Sequence, residues 1–171
     1  MTDAQTGRRA SSLRQRDFRL LIIGKTFGWM ALHMMMVAIA YQVYDRTGDV
    51  MNLAYIGLAT FAPAIGFALI TGYVADRFDR RLVLVVTYGI IFVGAVLLYL
   101  YTASGMEAVW PVFAILALEG TGRAFHQPAV NSLVPNLVPA ESFPNAVAWH
   151  STINKITQMV GPALGGILYL A

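Results

Sequence analysis

Cysteine is absent from the 171-residue chain, and Lys, Arg, Asp and Glu together make up only 12% of it. Without cysteine there is no disulfide framework and no thiolate metal site. Soluble domains carry about a quarter charged residues, so a chain with 12% charged and 57% hydrophobic residues is not built for water. A mean hydropathy of +0.61 agrees. Also missing are His-Glu-x-x-His and Gly-x-Ser-x-Gly arrangements, which argues against a membrane-embedded enzyme using His33, His126 and His150. No catalytic residue, cofactor or metal is expected. The net charge is +3, but its basic residues are not spread over a folded soluble face, so nucleic acid is not an expected partner. No cleavable leader is evident, because the first apolar run is about twice the length of a signal's apolar core.

What is present is a series of long apolar runs punctuated by short polar turns. The turn Gly72-Tyr73-Val74-Ala75-Asp76-Arg77-Phe78-Asp79-Arg80-Arg81 orients the rest. It lies between two runs of about 20–26 residues, each long enough to cross a hydrocarbon core about 30 Å thick. Hydrocarbon does not solvate five charges, so the turn belongs at a membrane surface. Arg77, Arg80 and Arg81 put that surface on the cytoplasmic side. Arg8, Arg9, Arg14, Arg16 and Arg19 precede the first run and place the N-terminus on the same side. Both clusters are also suited to anionic lipid.

The pattern predicts a cytoplasmic tail over residues 1–16, then helices over residues 17–171, with spans at about 18–44, 50–75, 82–103, 108–134 and 144–171. In the first span Arg19 and Lys25 are expected to snorkel to the headgroups, and Gly24 and Gly28 to offer a face for close packing. Pro63 and Gly66 interrupt the second span. Tyr99, Tyr101 and Trp110 form an aromatic belt at the outer end of the third. Pro135, Pro139 and Pro144 mark a rigid cytoplasmic loop before the fifth.

Ionisable residues inside spans are functional candidates by default. Glu119, Arg123 and His126 are spaced four and three apart, so they share one helix face. Glu119 and Arg123 can pair, either as part of a proton relay or as a structural pair fixing the helix's rotation. Pro128 removes a hydrogen bond to Ala124 beside them. On span five Ser151, Lys155, Gln158 and Pro162 recur at helical spacing. Lys155 is read as a contact to an anionic substrate group, as a partner of Glu119, or as a lysine snorkelling to the cytoplasmic end. Pro162, in the run Gly161-Pro162-x-x-Gly165-Gly166, frees the carbonyl of Gln158, while Gly165 and Gly166 let a neighbouring backbone approach. His33, followed by Met34, Met35 and Met36, reads as a bonded histidine beside adaptable apolar filler.

The loop Gly72-x-x-x-Asp76-Arg77-x-x-Arg80-Arg81 resembles the signature of the major facilitator superfamily of secondary transporters, with Asp79 where glycine is usual. Asp-Arg-Phe-Asp-Arg-Arg is similar to the drug–proton antiporter branch that includes macrolide and siderophore exporters. Gly161-Pro162-x-x-Gly165-Gly166 is similar to the fifth-helix antiporter signature, with Thr157 where an upstream glycine is expected. Arg123 resembles the buried arginine of the superfamily's fourth helix, which is associated with proton coupling. The resemblance implies that Gly72, Asp76, Arg77, Arg80 and Arg81 form a cytoplasmic gate latch against a second half.

The expectation is therefore an all-α integral membrane protein, about five transmembrane helices of an incomplete six-helix half, joined in function to a missing C-terminal half. The implied activity is proton-coupled export of a small organic molecule across the cell membrane. Glu119, Arg123, His126, Lys155 and Gln158 are the candidate cavity residues, with lipid, protons and a small-molecule substrate as partners. The alternatives are an importer or lipid transporter of the same fold, and a short membrane protein that acts only through helix association. These residues leave substrate, direction and coupling ion open.

Overall fold

A computed structural model describes residues 15–170, apart from the side chains of residues 75, 76, 134–136 and 170. Six helices follow in order: α1 (Arg16–Thr47), α2 (Met51–Gly66), α3 (Ala68–Arg77), α4 (Arg80–Ala103), α5 (Trp110–Leu137) and α6 (Phe143–Leu170). A 3-10 turn at Ala140–Ser142 precedes α6, and no strand occurs among the described residues. Residues 1–14 of the expected tail lie outside the described residues.

The all-α membrane class rests on length and surface. α1 and α4 are each long and apolar enough to cross a bilayer, and α2 with residues Ala68–Val74 of α3 makes a third span when taken as one rod bent by 55°. Leu69 is 94% exposed, Ile65 78% and Phe92 70%. Such a surface is stable against acyl chains rather than water. α5 and α6 have 28 residues each, about 42 Å at 1.5 Å per residue, but are more polar. The expected count of five spans depends on them.

The prolines act unequally. Pro63 cannot donate to the preceding turn, and the helix breaks one turn later at Phe67, whose N–H bonds the Pro63 carbonyl at 2.9 Å. Pro162 lies inside an unbroken α6, and α5 runs through Pro128 and on to Leu137. The connection to α6 is therefore Val138, Pro139 and the 3-10 turn, shorter than a loop running from Pro135 to Pro144. Pro144 sits in the first turn of α6, where a missing N–H costs nothing.

The described residues divide into two units, residues 15–41 with 134–170 and residues 42–133. In the first, α1 and α6 pack side by side. Lys25 meets His150, Gly161 faces His33, Gly165 faces Met34, and the Tyr41 and Tyr169 rings lie 4.5 Å apart. Residue numbers rise together along both helices, so they run parallel. A Cβ on Gly165 would lie 2.8 Å from the Met34 Cα, closer than side chains tolerate. A Cβ on Gly24 would meet nothing within 4 Å, so the close approach uses Gly161 and Gly165 rather than the expected face on α1. Thr157 is buried and donates its hydroxyl to the Ile153 carbonyl at 3.0 Å.

In the second unit α2 and α5 run parallel, with Tyr55 on Phe113 at 5.9 Å, Thr60 and Pro63 on Gly120, and Phe67 on Phe125 at 5.7 Å. α4 and α5 form an antiparallel hairpin through Gly94 and Glu119, Thr87 and Gly122, and Tyr88 and His126. Its turn is built from Gly105 (φ +102°) and Met106 (φ +44°). The Tyr101 hydroxyl holds the turn, donating to the Ala108 carbonyl at 2.8 Å and accepting from the Ala108 N–H at 3.1 Å.

Candidate functional site

The charged turn joins α3 to α4. Asp79 has φ −58° and accepts the Arg81 N–H at 2.8 Å, capping α4. The aspartate in the usual glycine position therefore needs no glycine conformation and satisfies one of the free N–H groups at the helix start. The Arg77 guanidinium lies 6.0 Å from the centre of the Tyr73 ring, Arg80 is half-buried and Arg81 exposed. Gly72 is exposed with open space around it. The Asp76 side chain, the expected latch, lies outside the described residues.

On α5 Glu119 and Arg123 form an ion pair of 3.1 Å. Glu119 is fully buried, and its Cγ fills the space where Gly94 on α4 has no side chain. Its second oxygen, Oε1, has no hydrogen-bond partner among the described residues. A carboxylate half-satisfied in a glycine notch can take a proton or a further donor. His126 is also buried, edge-on to Tyr88 at 4.8 Å. Glu119 and His126 are fully buried and held against α4, whereas Arg123 keeps 18% of its side chain exposed. Two further residues continue its line. Gln127 donates to Asn131 at 3.1 Å. Positions 119, 123, 127 and 131 repeat every four residues, the spacing that makes them neighbours on one face, and that repeat was the available signal for the two amides.

On α6 Ala146, Ile153, Thr157, Gly161 and Gly165 are buried. Ser151, Lys155 and Gln158 are exposed and Pro162 half-buried, a separate polar stripe. Ile156, Met159 and Ile167 form a third, apolar, exposed face. Lys155 has no ion pair among the described residues, and the partner of Glu119 is Arg123. Gly166 has open space around it.

Sequence reasoning misplaced one lysine. Lys25 does not snorkel; it is fully buried, and its amine meets His150 Nε2 on α6. His33 is half-buried, with its ring 5.9 Å from that of Trp29.

An all-α protein with lipid-facing apolar surfaces, an Arg-rich turn between its second and third rods, and polar groups inside later ones is of the major-facilitator type. Residues 8–171 match the family described as transmembrane secretion effector. The chain belongs to that family of membrane transporters, which is not a family of enzymes. It is 28% identical over 152 residues to macrolide efflux protein A of Streptococcus pyogenes, covering 89% of this chain and 38% of that protein. It is 31% identical over 117 residues to macrolide efflux protein A of Enterococcus faecalis, covering 68% and 34%. The staphyloferrin A transporter of Staphylococcus aureus is 29% identical over 121 residues, covering 68% and 30%. The chain thus spans about a third of the length of these relatives. No solved structure matches it.

Proposed function

We propose that these helices are the N-terminal part of a secondary active exporter in the cell membrane, N-terminus cytoplasmic, which moves a small organic molecule outward by alternating access in exchange for protons. One observation carries the reading: α6 presents Ser151, Lys155 and Gln158 on an open face distinct from both its packing face and its apolar face. Lipid does not accept such a stripe inside a span. It calls for a water-filled cavity or a facing helix, and the remaining part of a transporter of the relatives' length supplies one.

The parallel course of α1 and α6 supports five spans. The chain between them must cross an odd number of times, which α2–α3, α4 and α5 do as three rods. On α6 Lys155 and Gln158 are the cavity residues; on α5 the polar line of Arg123, Gln127 and Asn131 has Glu119 as its protonatable group. Gly161 and Gly165 keep α6 close to α1, while the turn at Gly72, Asp76, Arg77, Arg80 and Arg81 latches the cytoplasmic side. The relatives' names suggest a macrolide or a siderophore-like molecule as cargo.

The test is transport by the full-length protein in liposomes, with radiolabelled erythromycin as probe and an imposed pH gradient as driving force. Gradient-driven accumulation is expected, with Lys155→Gln and Glu119→Gln each slowing it by about tenfold or more. Accumulation indifferent to the gradient would favour an importer or lipid transporter of the same fold. No transport of any tested cargo would favour a protein acting through helix association alone.

A further inference from the structure

We propose that Lys25 and His150 together hold one exchangeable proton, making the contact between α1 and α6 a proton-carrying site. Its place in transport rests on the exporter reading above; the proton itself does not.

Lys25 is fully buried, and among the described residues its amine has one hydrogen-bond partner, His150 Nε2. The described ion pair of the chain is Glu119 with Arg123, so no described carboxylate neutralises Lys25. A fixed, unpaired ammonium in that position is costly. A lysine beside an imidazole has another course open to it. Loaded, the ammonium donates an N–H to Nε2 of a neutral imidazole. Empty, the imidazole carries its own proton on Nε2 and donates it to the amine lone pair. The same contact is hydrogen-bonded in both states, which differ by one proton taken from or given to water. A second proton would put two cations in contact and leave no acceptor between them. The site therefore holds one proton or none.

The surroundings fit a proton and nothing larger. Lys25 has no exposed surface, so a bulkier ligand reaches it only if the helices part. On α1 the other ionisable groups at this end are Arg16, Asp17 and Arg19, all exposed. His33 lies about two turns further along, against Trp29 and Gly161. On α6 Lys155 is exposed, and so is Glu141 in the turn before that helix. None has a described hydrogen bond or ion pair with Lys25 or His150. Between Asp17 and Asp45 α1 carries no carboxylate, so Lys25 and His150 are the ionisable pair at the N-terminal end of the α1–α6 contact. Lys25 and His150 lie about 10–14 Å from the starts of their parallel helices, towards the end assigned to the cytoplasm.

Lys25→Arg is the diagnostic substitution, because arginine keeps the charge and the donor but does not release its proton. Potentiometric titration of the purified full-length protein between about pH 6 and 9 is expected to show about one proton per chain more for the wild type than for Lys25→Arg. A lysine in water stays charged across that window, so equal counts would overturn the proposal. If the variant does not fold, NMR of the wild type labelled with 13C-lysine decides: a lysine resonance that moves across the window supports the site, and stationary resonances overturn it. The erythromycin assay separates the two readings. Gradient-driven transport retained by a Lys25→Arg protein that has lost the proton overturns the site's role in coupling and leaves the exporter reading intact. Transport by the wild type that ignores the gradient overturns proton exchange in the exporter reading, while the proton count still decides this site.

Discussion

Glycines 165 and 166 are neighbours with opposite surroundings, and the difference sets their expected mutational cost. A side chain at position 165 meets the Met34 backbone, whereas position 166 faces open space. Gly165→Leu is expected to push α6 off α1 and destabilise the protein by about 1–3 kcal/mol, while Gly166→Leu leaves the unfolding midpoint near that of the wild type; thermal unfolding in detergent checks both. Asp79→Ala removes the cap on α4 and is expected to cost about 1 kcal/mol, and Asp79→Asn much less, by the same measurement. The sequence revealed the Glu119–Arg123 pair because type and spacing within one helix suffice for it. It did not reveal the burial of Lys25, because snorkelling or burial is decided by His150, 125 residues away.

Among the elements, glycine notches set which helices meet and in what register. Gly94 receives Glu119, Gly120 receives the Thr60 carbonyl, and Gly161 and Gly165 receive α1. The apolar runs and the interruption near Pro63 were legible from composition and from proline's missing N–H. The position of the break was not: Pro63 yields a bend at Phe67, while Pro128 and Pro162 leave their helices whole. The expectation of a loop from Pro135 failed for the same reason, since a proline ends a helix only where the surrounding packing does not hold the turn together. The absence of native cysteine in this chain makes the parallel pairing simple to test. Tyr41→Cys with Tyr169→Cys is expected to form a disulfide on mild oxidation, and Tyr41→Cys with Trp149→Cys to form none; gel mobility after cleavage between α1 and α6 reports it. The reverse outcome would mean that α1 and α6 run antiparallel.

At the scale of the whole molecule, the membrane class was legible from bulk composition, and the family from one turn and one glycine–proline motif. The open polar face was legible in part, through the helical spacing of Ser151, Lys155 and Gln158. Whether that face met another helix, lipid or a cavity depends on groups far apart in sequence. The measurement that tests the reading most directly is water access to α6 in native membranes, read as labelling by a charged maleimide of single cysteines in the full-length protein, any cysteine outside these residues first replaced by serine. Gln158→Cys is expected to react and to be protected by bound erythromycin, while Ile156→Cys, on the apolar face, stays unlabelled. Labelling of Ile156→Cys with Gln158→Cys silent would put the polar stripe against lipid or protein, and would contradict a substrate pathway along this face.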